Sequence, residues 1–187
     1  MTPTTRDRLR LDDQRGMTVA EILVALVIIS IGLVGLASVL PISSYGIQQG
    51  NQLSTATFLA EQRLEQIKGL AWTASPNVDC LGASTNWSFS GGTAPTIPKS
   101  GSTATCASVQ SLNDETPSSN TLPSPYGNYT RQVRILDCSA AGSGCGVTDP
   151  ALRLVIVQVT FTPLQGVGGV ALTQPQSLQL TMLMAQR

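Results

Sequence analysis

The sequence predicts an α+β fold. A long N-terminal α-helix, its first half able to span a membrane, packs through its second half on a small antiparallel β-sheet with irregular, disulfide-bonded loops. Three observations predict it. Residues 17–40 form a nearly unbroken apolar run. An amphipathic helical pattern follows over residues 41–69, and three β-patterned segments close the chain beyond residue 129. The chain is 187 residues long with a formal charge of zero, which suits one domain and gives no basic footprint for nucleic acid. It contains no histidine, so Ser-His-Asp or Cys-His catalysis and His-ligated metals are excluded by composition. Neither an enzyme activity nor a cofactor is expected, and no residue is assigned a catalytic, cofactor-binding or metal role.

In MTVAEILVALVIISIGLVGLASVL, residues 17–40, only Thr18, Glu21, Ser30 and Ser38 are polar. About 20 apolar residues let a helix cross a hydrocarbon core of roughly 30 Å. Helix is the single-segment form that satisfies every backbone group in lipid. Residues 1–16 carry four arginines and three aspartates and end in Arg15-Gly16 against the apolar run. Positive charge on this side predicts a cytoplasmic N-terminus, with the rest of the chain outside. Glu21, the fifth residue of the run, is expensive there: a carboxylate at mid-bilayer costs roughly 2.5–3.5 kcal/mol on insertion scales. It is either a functional group with a partner or a group solvated at headgroup depth.

Gly16-Met17-Thr18-Val19-Ala20-Glu21, followed by an apolar helix, resembles the signal of type IV prepilins and type II secretion pseudopilins. The stretch from Val24 to Ala37 is most similar to PilV-type minor pilins. The resemblance covers about residues 15–40, and Met17 stands where phenylalanine is usual in the family. It implies a pilin-like fold and a leader, residues 1–16, removed by a prepilin peptidase that cuts between Gly16 and Met17 and then N-methylates Met17. It implies that Glu21 serves subunit assembly by pairing with the Met17 amine of a neighbouring subunit. The expected role is that of a structural minor pilin that primes pilus assembly or joins a tip complex, with an effect on adhesion. The expected partners are the peptidase, other major and minor pilins, and the inner membrane, with no small-molecule substrate. The chain would wait in the inner membrane, C-terminal domain in the periplasm, before entering a surface fibre. A pseudopilin of a secretion or DNA-uptake system is the alternative, and a membrane-anchored periplasmic domain is a further one.

In residues 41–69, Leu53, Ala56, Ala60, Leu64 and Ile67 recur at three- and four-residue spacing and predict one apolar helix face. Arg63 is placed with Glu61, Glu65 and Lys68 on more polar directions. Lys68-Gly69 reads as a helix stop, while Pro41, Gly46 and Gly50 are expected to kink or loosen the middle. Residues 70–128 are rich in Ser, Thr, Gly and Pro and predict irregular loops, with Trp72, Trp87 and Phe89 as anchors. Residues 129–187 hold three strand candidates, Tyr129–Leu136, Arg153–Thr162 and Leu178–Met184, separated by Gly and Pro clusters as in an antiparallel meander. Cys80, Cys106, Cys138 and Cys145 all follow the apolar run, and their even number favours disulfides. Local loop closure favours Cys80–Cys106 and Cys138–Cys145 over the other two pairings.

Overall fold

The computed structural model describes residues 18–96, 106, 115, 122–141, 143–163 and 174–187, leaving aside the side chains of residues 40–42. The chain divides into two compact units, Met1–Ser44 and Tyr45–Arg187. The predicted α+β class is the one observed: helix α1 (Val19–Lys68) precedes a two-stranded sheet, β1 (Trp72–Thr73) with β2 (Val78–Asp79). A three-stranded antiparallel sheet follows, ordered β3 (Tyr129–Asp137), β4 (Leu152–Phe161), β5 (Gln176–Ala185). Pro41, Gly46 and Gly50 all lie within α1. The helix ends where Gly69 donates its N–H to the Glu65 and Gln66 carbonyls, consistent with the Lys-Gly stop.

Period-2 alternation builds the sheet's core face. Tyr129, Val133 and Ile135 of β3 lie opposite Phe161, Val157 and Val155 of β4, and β5 adds Leu178, Leu180, Met182 and Met184 in the same register. These residues pack with Ala56, Leu59, Ala60 and Ile67 of α1. The helix face therefore differs from the expected one. Leu53 is 47% exposed, while Leu59 points inward at 1% and Arg63 is buried at 3%. The stripe runs 56, 59, 60, 63 and 67, and an arginine fills a core position because a carboxylate awaits it there. Arg63 Nη2 lies 3.4 Å from Glu115, and burial lowers the Arg63 pKa against the opposing pull of Glu115.

The stretch expected to be irregular includes the β1–β2 hairpin, whose anchor is one ion pair. Arg153 forks onto Asp79 with two 2.7 Å bonds and stacks 4.5 Å over the Trp72 ring. Asp79 also accepts the N–H groups of Leu81 and Gly82. Trp72 is thus an anchor, as expected, but Trp87 is not: it is 60% exposed. Phe89 lies under the buried Arg134, 5.1 Å from its guanidinium, and Arg134 donates to the carbonyls of Ser88 and Gly92. Disulfides join Cys80 to Cys106 and Cys138 to Cys145. The first ties the end of the hairpin to Cys106. The second closes the turn after β3.

Two outcomes follow from this packing. A Cβ at Gly92 would lie 2.5 Å from both the Ser88 carbonyl and the Asn86 side-chain oxygen, closer than any real contact. Gly92→Ala should therefore lower stability by about 1–3 kcal/mol, measured by chemical unfolding. Burial alone would raise the Asp79 pKa, but hydrogen bonds from Arg153, Gly82 and Leu81 outweigh it and hold the carboxyl below its ordinary value. A depressed folded pKa means that its stabilisation is complete above the unfolded value of about 3.9 and is lost as pH falls toward the folded one. Asp79→Asn should destabilise the fold by roughly 3–5 kcal/mol near neutrality and flatten the loss of stability below about pH 4. An unchanged acid limb in that variant would remove Asp79 as its source.

Candidate functional site

The candidate site is the start of α1. Thr18 precedes the first helical residue, and its hydroxyl accepts the Glu21 backbone N–H at 3.3 Å, while the Thr18 carbonyl accepts the N–H groups of Glu21 and Ile22. Thr18-Val19-Ala20-Glu21 thereby has the spacing of a capping box. The cap uses the backbone of Glu21, so the carboxylate stays available for another partner, and among the described residues it has none. An acid in the first turn also meets the positive end of the helix dipole.

Beyond this cap the helix is apolar on every side. Thirteen large aliphatic side chains between Val19 and Val39 are each at least 46% exposed within the chain. A fully buried side chain of this kind is worth about 1.5–3 kcal/mol, so leaving these in water would cost on the order of 10 kcal/mol. That equals the whole stability of a typical domain, and a helix apolar all round is normally buried in lipid or protein. The polar exceptions are neutralised locally: Ser30 donates to the Leu26 carbonyl and Ser38 to that of Gly35, both at 2.7 Å. The helix is long and apolar enough to cross a membrane.

Gly16 and Met17, the residues expected at the cleavage and methylation point, lie outside the described residues. Glu21 sits on the first turn of the exposed helix. The four cysteines lie in the other unit, all in disulfides. Among the described residues, no group of three or more Cys, Asp or Glu side chains gathers in a metal-binding arrangement. Sequence reasoning missed four buried arginines, Arg63, Arg131, Arg134 and Arg153. The signal was present for two of them: alternation in β3 and β4 puts Arg131 on the face of Val133, and Arg153 on the face of Val155.

Neither the curated proteins nor the solved structures gave a match to this chain. Residues 11–37, which include Thr18, Glu21 and most of the bare apolar helix, match the family model described as the prokaryotic N-terminal methylation motif, a type IV pilin-like signal.

Proposed function

We propose that this chain is a structural minor pilin of a type IV pilus, most similar to the PilV type. In this reading residues 1–16 are a cytoplasmic leader. Prepilin peptidase cuts between Gly16 and Met17 and methylates the new Met17 amine. Residues 17–40 hold the subunit in the inner membrane and then in the fibre, residues 41–69 carry the helix onto the sheet, and residues 70–187 form the periplasmic domain. The observation that carries the reading is the methylation motif lying on a helix whose apolar surface the chain itself leaves uncovered.

The chemistry of Glu21 follows from that surface. Among packed helices without water, an unpaired carboxylate is costly, and a cation within reach removes most of that cost. Cleavage creates an α-amine that is cationic near neutral pH, and a secondary methylamine keeps the charge. A neighbouring subunit's Met17 amine is the natural partner for Glu21, and the pair fixes the axial register of the incoming helix. The cap by Thr18 survives loss of the Glu21 side chain because it uses the backbone. Insertion and assembly therefore separate.

Glu21→Ala should reach wild-type levels in the membrane, while its share in sheared pili falls about tenfold or more. Quantitative mass spectrometry of the two fractions reads this ratio. A wild-type share in the pili would end the assembly role of Glu21, and absence of the wild-type chain from pili would end the pilus reading.

A further inference from the structure

A second site lies on the Tyr45–Arg187 unit, where α1 faces the start of β3. Glu115 pairs its backbone with Arg131 in an antiparallel bridge, which brings one carboxylate between two guanidinium groups. Arg131 Nε donates to Glu115 Oε2, and its Nη1 donates to the Leu59 carbonyl at 2.9 Å and to Gln62 at 3.3 Å. Arg63 fares less well. Among the described residues its only charged contact is Glu115 at 3.4 Å, its Nη1 is held by Gln66 at 2.9 Å, and its buried Nε has no hydrogen-bond partner.

Among the described residues the cluster holds two cations and one anion, with both arginines about 95% buried. An uncompensated charge in such a place is costly. The same residues line a cleft of about 180 Å³, walled on its apolar side by Leu122, Pro123 and Tyr126, and among the described residues no second carboxylate lines it.

We propose that this cleft binds one carboxylate group carried on a short aliphatic arm, from a free small carboxylate or from an Asp or Glu side chain of a partner protein. The charge count selects the class. One further negative charge balances the described members of the cluster, whereas a dianionic phosphate would overshoot beside Glu115. Guanidinium groups match the planar, two-oxygen geometry of a carboxylate. The apolar wall suits one or two methylenes behind it.

The test uses the full chain in detergent micelles at constant ionic strength, titrated with sodium acetate, with the capped tripeptide Ala-Glu-Ala, or with its Ala-Gln-Ala counterpart. Thermal unfolding and the ¹⁵Nε resonance of Arg63 are followed. Acetate and the glutamyl peptide should each raise the unfolding temperature saturably and shift the Arg63 signal, with the glutaminyl peptide inert. A response to acetate alone assigns a free ligand, and a response to the glutamyl peptide alone assigns a protein-borne one. In Arg63→Gln, which leaves the neutral Arg131–Glu115 pair, apparent affinity should drop about tenfold or more. No response to either carboxylate, or an equal response in the variant, overturns the proposal. If the variant does not fold, the wild-type ¹⁵N titration decides alone, a flat trace being fatal. None of these readouts depends on fibre assembly.

Discussion

The governing constraint is a helix that its own chain does not cover. Soluble helices present a stripe of apolar residues and hide it; the first twenty or so residues of α1 present apolar residues on all sides and hide none. The cost of hydrating that surface is as large as a domain's stability, so lipid or other helices suit the segment better than water. Glu21 then becomes the one polar decision within it. Backbone capping by Thr18 already secures the helix start, which leaves the carboxylate without a hydrogen-bond partner among the described residues.

The second unit meets a different constraint with a different device. Its sheet has three strands and a modest aliphatic core, yet four arginines are buried in or behind it. Each is tied to a segment outside the main sheet: Arg153 to the β1–β2 hairpin through Asp79, Arg134 to the Ser88–Gly92 turn, and Arg63 and Arg131 to Glu115. Guanidinium forks and two disulfides thus attach polar, turn-rich chain that has too few apolar side chains to attach itself. Among the described residues Arg63 and Arg153 each keep a buried Nε without a hydrogen-bond partner, and Arg63 has the longer ion pair, 3.4 Å against 2.7 Å.

The strong periodicities were legible in the sequence. The apolar run, the strands and the α+β class could be read because side-chain alternation and helical spacing encode them directly. Against the expected strands, β3 runs one residue further, β4 keeps its length but starts and ends one residue earlier, and β5 extends at both ends, because pairing rather than hydrophobicity sets where a strand stops. Polarity is a poor guide to exposure at two positions of the helix face, the exposed Leu53 and the buried Arg63. What reversed Arg63 is Glu115, which lies 52 residues away in a stretch with no periodic signal. The β1–β2 hairpin escaped notice for a related reason: two-residue strands carry no alternation, and this pair is held by an arginine from β4. At the site, Glu21 is legible as a charge in an apolar run, and the Thr-x-x-Glu spacing of residues 18–21 carries the signal for Thr18 as the cap.

The central claim is that Glu21 meets an amine made by removing the residues before Met17. The most direct measurement is the intact mass, with terminal sequencing, of the chain extracted from membranes of cells that contain prepilin peptidase. The account predicts a chain beginning at Met17 and carrying one added methyl group. A chain that retains residues 1–16 would contradict it, because the cation proposed for Glu21 would then not exist.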